Sequence, residues 1–148
     1  MMRVRVFDTA SRLARAAARD VARALRANPR LVLGLPTGRT PIPLYDEIVR
    51  LHGAGRASFR RATTFNLDEF LGLDGRDPRS YRAFMQRHLF DHVDLTARRI
   101  HFLNGTVRDV AAECERYERA IRRAGGIDLQ LLGLGTNGHI GFNEPARA

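Results

Sequence analysis

A chain of 148 residues, 44 % of them apolar, is long enough for one domain with a sizeable core, and it holds no apolar run of bilayer-spanning length. Its first residues lack the apolar centre and small-residue cleavage site of a secretory leader, so neither membrane insertion nor export is expected. The formal charge of +9 comes from arginines scattered without aromatic interleaving or a recognition-helix pattern, which argues against a nucleic-acid partner and for a positive field that draws in an anionic substrate.

Residues 4–7 form a short candidate first strand. Residues 9–27 follow as a helix in which Leu13, Ala17, Val21 and Leu25 recur every four positions, with arginines on the other face. The apolar run 31–35 predicts a buried parallel strand. Thr40 as N-cap and Pro41 at the first helical position predict a helix to about residue 53, with Ile42, Tyr45, Ile48 and Val49 inward. A strand over 62–67 and a Gly/Asp/Pro-rich loop come next. Ser80 then caps a helix with Tyr81, Phe84, Met85, His88 and Leu89 on its apolar face. A strand over 100–103 precedes a helix capped by Asp109, with Val110, Cys114, Tyr117 and Ile121 inward and Gly125-Gly126 as its stop. The apolar stretch 127–132 predicts the last strand. The alternation argues for an α/β fold: a Rossmann-like, doubly wound, mostly parallel sheet with helices on both faces. The lone Cys114 cannot form an internal disulfide; it reads as a buried apolar residue in a reducing cytoplasm.

Three loops leave predicted strand ends, where open α/β sheets place their sites. In the first, Thr37, Gly38, Arg39 and Thr40 precede a helix whose free N–H groups suit an anion; the residues alone equally describe an ordinary capped turn. The second carries Asp68 and Glu69. Side chains alternate in direction, so one of the two is expected in a cleft, where a partly desolvated carboxylate can act as a general base. A solvated pair at a strand end is the competing reading. The third, residues 133–145, delivers Asn137, His139 and Glu144 from a glycine-rich turn; the histidine either shuttles protons or merely bonds its own turn. No metal-ligand spacing is present. His52, His88, His92 and His101 lie on predicted elements or their ends and read as structural.

Taken together, LGLPTGRTP at 33–41, TFNLDEF at 64–70, Ser80-Tyr81, FDHV at 90–93, LNG at 103–105 and GHIGFNEP at 138–145 resemble the glucosamine-6-phosphate deaminase family. The related 6-phosphogluconolactonases share the fold and a Gly-His pair, and the FNEP tetrapeptide separates the two. The resemblance implies isomerisation and deamination of glucosamine 6-phosphate to fructose 6-phosphate and ammonia. It casts Asp68 as the base moving a proton between C2 and C1, His139 as the acid–base group of ring opening, and Glu144 as its supporting carboxylate. Asn137 stands where some relatives carry Asp; it orients the imidazole but cannot share its proton. Thr37, Gly38, Arg39 and Thr40 match the phosphate loop, where some relatives have glycine in place of Arg39. No metal or organic cofactor is expected for such proton transfers.

Family members continue well past the FNEP motif, with the rest of the sheet, a mobile lid and basic phosphate ligands. The expectation is therefore a C-terminally incomplete single domain with little deaminase activity alone, an exposed last strand, and an open question of homo-oligomerisation. A lactone hydrolase and a non-catalytic sugar-phosphate-binding module are the alternatives.

Overall fold

A computed structural model describes residues 2–146. Four strands form one sheet: β1 (Val32–Leu35), β2 (Thr63–Asn66), β3 (Ile100–His101) and β4 (Leu129–Gln130), in the order β3-β2-β1-β4. Every pairing is parallel, with Leu35 opposite Asn66, Leu33 opposite Leu129 and Phe65 opposite His101. The helices are α1 (Ala10–Ala27), α2 (Ile42–Gly53), α3 (Tyr81–His88) and α4 (Val110–Arg123).

Alternation along β1 divides the interior. Leu33 and Leu35 join Val21, Leu25, Tyr45, Ile48 and Met85 in the core under α1, α2 and α3. Val32 points the other way and joins Phe65, Tyr117 and Ala120 under α4. Both faces of the sheet are thus covered, as parallel strands require. No helix among the described residues is long and apolar enough to cross a membrane.

Several sequence expectations change. Residues 4–7 form no strand; Val4 and Val6 are exposed, and the segment is held by an Arg5–Asp20 ion pair and by Arg5 over the Phe7 ring. The row Leu13, Ala17, Val21, Leu25 does not stay inward. Each step of four overshoots a turn by about 40°, so Leu13 emerges into solvent and Ala14, Ala18 and Ala22 take the buried stripe with Val21 and Leu25. These small side chains let α1 lie close on α2. Thr40 makes no cap bond, and α2 starts from Pro41. On α4 the inward residues are Glu113, Tyr117 and Ala120, while Val110 and Cys114 are exposed. A carboxylate can sit there because Glu113 accepts from the Asn104 backbone N–H (2.7 Å) and pairs with Arg116. Thr9, Ser80 and Asp109 do cap their helices, accepting from the backbone N–H groups of Arg12, Ala83 and Ala112.

The two leucines of α1 give a direct check. Leu25→Ala should lower stability by about 2–5 kcal/mol, and Leu13→Ala should stay within about 0.5 kcal/mol of the parent, both read from urea unfolding midpoints.

Candidate active site

Strand order reverses between β1 and β4: the chain winds outward from β1 through β2 to β3, then crosses back to β1's other side. The crevice beyond the carboxyl ends of those two strands is where doubly wound sheets bind ligands. The loops after β1, β2 and β4 all leave from that rim, because the three strands are parallel.

The loop after β1 is fixed from below by Tyr45. Its buried hydroxyl donates to the Pro36 carbonyl and so ties α2 to the start of the turn. Gly38 has φ +95°, a conformation that side chains with a Cβ rarely adopt. Thr37 and Gly38 are half-buried, and Arg39 and Thr40 face solvent.

The loop after β2 separates its two carboxylates. Glu69 turns to the N-terminus of α3 and accepts from the backbone N–H groups of Tyr81 (2.9 Å) and Arg82 (3.0 Å), a helix-end anion in the favourable sense of the dipole. Asp68 stays free of that duty. It is half-buried, and its Oδ1 is enclosed without a hydrogen-bond partner. Burial chiefly, and the neighbouring Glu69 charge, push its pKa above the usual carboxylate value. Tyr81 lies against Phe70 (4.5 Å between ring centres). Burial and the Asp68 charge raise the Tyr81 phenol's pKa, while the Thr37 hydroxyl opposes the shift.

The loop after β4 organises itself. Gly135 donates to the His139 carbonyl (2.9 Å), and Ile140 and Asn143 exchange backbone bonds. The His139 ring rests on Gly135, where a Cβ would meet it at 2.1 Å, so any larger residue there would displace the ring. His139 Nδ1 lies 2.6 Å from Asn137 Oδ1, and Asn137 Nδ2 donates to Glu144 at 2.6 Å. The expected support of His139 by Glu144 is thus indirect, passed through the amide. Because an ionised carboxylate only accepts, the Asn137 NH2 must face Glu144 and its oxygen must face the ring. That oxygen requires a proton on Nδ1, which leaves the Nε2 lone pair free. Asn137 and Glu144 are exposed and His139 is half-buried, with Leu134 and Phe142 exposed beside them.

Sequence reasoning assigned no role to Asn66, Tyr45, Tyr81 or Gly135. Asn66 is buried at the end of β2; its Nδ2 donates to the Leu35 carbonyl (3.0 Å), and its N–H donates to the Tyr117 hydroxyl (2.9 Å). Nothing local marks Gly135 as the seat of the imidazole. The other histidines hold structural contacts: His52 Nδ1 with the Ala57 carbonyl, His92 Nε2 with the Arg87 carbonyl, His88 against Phe84 and His101 on Phe65.

These features define a doubly wound α/β protein with a polar site at its switch point. Residues 7–141 match the family model of glucosamine-6-phosphate isomerases/6-phosphogluconolactonase, and the chain belongs to that family. It is 45 % identical over 147 residues to a glucosamine-6-phosphate deaminase of Clostridium perfringens and 50 % identical over 144 residues to that of Hahella chejuensis, covering 99 % and 97 % of this chain. The chain spans 61 % and 55 % of those relatives' lengths. A solved structure described as a monomeric glucosamine-6-phosphate deaminase superposes with a TM-score of 0.94 at 44 % identity, covering 99 % of this chain and 61 % of that one. The 6-phosphogluconolactonase of Thermotoga maritima shares the fold, with a TM-score of 0.75 at 22 % identity over 93 % of this chain and 61 % of its own.

Two substitutions separate the neighbouring carboxylates. Glu69→Ala removes the anion at the start of α3 and should cost about 1–2 kcal/mol. Asp68 behaves oppositely. Its folded pKa lies above the unfolded one, so the folded state binds more protons in that window and stability falls as pH rises through it. Asp68→Asn should therefore be more stable than the parent at neutral pH, with the difference closing below the carboxylate range. Chemical denaturation at several pH values measures both.

Proposed function

We propose that this chain supplies the sugar-phosphate cradle and the acid–base groups of a glucosamine-6-phosphate deaminase. The observation that carries the reading is the common rim, where an anion-type turn, a desolvated carboxylate and an imidazole of fixed tautomer leave three parallel strands at the switch point. The relatives of nearly full chain coverage support the substrate.

In this mechanism the Thr37–Thr40 turn holds the 6-phosphate through backbone N–H groups, and the Thr37 hydroxyl adds a donor. His139 Nε2 takes the proton of the C1 hydroxyl and returns it to the ring oxygen, which opens the ring to the aldehyde. Asp68 removes the proton from C2 while the C1 carbonyl oxygen takes one from solvent, leaving an enolamine; Asp68 then delivers its proton to C1, which gives the protonated imine at C2. The resulting ketimine at C2 is hydrolysed by water to fructose 6-phosphate and ammonia. One carboxylate can serve both carbons because they are adjacent in a planar intermediate, and its raised pKa strengthens it as a base. The phosphate, remote from the reacting carbons, provides binding energy for orientation. A phosphorylated metabolite as substrate fits a cytoplasmic protein. The net charge of +9 favours capture of the dianion.

A lactone hydrolase would use the same cradle, but neighbours of that kind share only the fold with this chain. The test is ammonia release and binding with glucosamine 6-phosphate, run beside 6-phosphogluconolactone hydrolysis. The proposal predicts binding of the amino sugar phosphate, no lactonase activity, and loss of whatever ammonia release the chain shows on Asp68→Asn or His139→Gln, with phosphate-dependent binding retained. Lactone hydrolysis with no affinity for glucosamine 6-phosphate would overturn it.

A further inference from the structure

On the α4 side of the sheet, at the end opposite the three loops, lies a hollow of about 380 Å3. Its polar lining is Thr63 at the start of β2, Arg98 and Arg99 just ahead of β3, His101 on β3, and Arg123 in the last turn of α4. These are strand beginnings, whereas the candidate active site sits at strand ends. That volume is in the range of small-ligand sites.

The charges in this hollow are uncompensated. Arg116, Arg119 and Arg122 on α4 each hold a glutamate. By contrast, Arg98, Arg99 and Arg123 make no ion pair among the described residues. Arg99 reaches the Thr63 hydroxyl at 3.4 Å, and its Nε is enclosed without an acceptor. A buried guanidinium N–H left unpaired is costly, and three like charges around one hollow repel. The negative end of the α4 dipole accounts for Arg123, but not for Arg98 and Arg99, which arrive from another segment. His101 stacks flat on Phe65 (4.4 Å, 9°) and forms part of the wall. Burial, then the Arg116 and Arg123 charges, hold its pKa below the usual histidine value, so it adds no further charge at neutral pH.

We propose that this hollow is a second anion site, taking a phosphate group on the forked donors of Arg98, Arg99 and Arg123. Planar guanidinium groups match phosphate oxygens in pairs, and a dianion supplies the missing counter-charge. The site does not depend on the sugar-phosphate reading of the opposite rim.

Imidazole-detected NMR tests it, since His101 reports this hollow and His139 the other end. The protein is titrated with inorganic phosphate, with fructose 6-phosphate, and with sodium chloride at matched ionic strength. The expected result is a saturable shift of the His101 signals with either phosphate, and a higher His101 protonation midpoint when the anion is bound. Arg98→Ala and Arg123→Ala, both at solvent-exposed side chains, should each weaken that binding about tenfold with unchanged melting. Tighter binding of the sugar phosphate than of the free anion would assign the occupant as a metabolite; equal binding would assign inorganic phosphate. A His101 response no larger than that to chloride, or undiminished in both arginine variants, would overturn the proposal.

Discussion

The arrangement at the rim depends on β1 and β2 ending together. Leu35 and Asn66 are paired in register, and the Asn66 side chain clamps the two strand ends by donating to the Leu35 carbonyl. The Tyr117 hydroxyl accepts from the Asn66 N–H and donates to the Asn66 carbonyl (2.8 Å), so α4 holds the same point from the opposite face. In a buried setting such bonds are expensive to break, although Asn66 Oδ1 stays enclosed without a partner. These bonds fix where the chain departs toward Asp68 and where it departs toward Thr37. The separation of the Thr37–Thr40 turn and the Asp68 carboxylate is thereby set by the paired strand ends rather than by flexible side chains.

The division of labour among the acidic groups follows the same logic. Asp68 and Glu69 are adjacent, yet one caps α3 and the other keeps an enclosed, partnerless oxygen. Capping lowers the energy of a charge; enclosure raises it, and a base benefits from the second. In the loop after β4, an amide stands between imidazole and carboxylate. Asn137 relays orientation from Glu144 to His139 without relaying a proton. The ring is thereby held in one orientation by the amide oxygen.

Much of the fold was legible because two periodicities carry it. The alternation of short strand-like stretches with amphipathic helices pointed to the four strands, and Ser80 and Asp109 marked helix starts through capping chemistry. What failed were cases where pattern lacks its partner. Val4 and Val6 alternate like a strand, but a strand exists only through pairing, and no described strand pairs with them. Cys114 and Val110 fit an apolar spacing, yet bonding to the Asn104 backbone, with an ion pair to Arg116 on the same helix, drew Glu113 inward instead. At the site, residue types and their loops could be read from the sequence. The Asn137 bridge, the seat on Gly135 and the Asn66 clamp could not, since each rests on a contact that only folding creates.

The central claim is that three loops serve one ligand. Its most direct measurement is a titration with glucosamine 6-phosphate in which the backbone amides of Thr37, Gly38, Arg39 and Thr40, the Asp68 carboxyl and the His139 ring are followed together by NMR. The account predicts that all of them respond along one saturation curve with a single Kd. Separate curves for the turn and the imidazole, or a response of the turn with Asp68 and His139 unmoved, would contradict it.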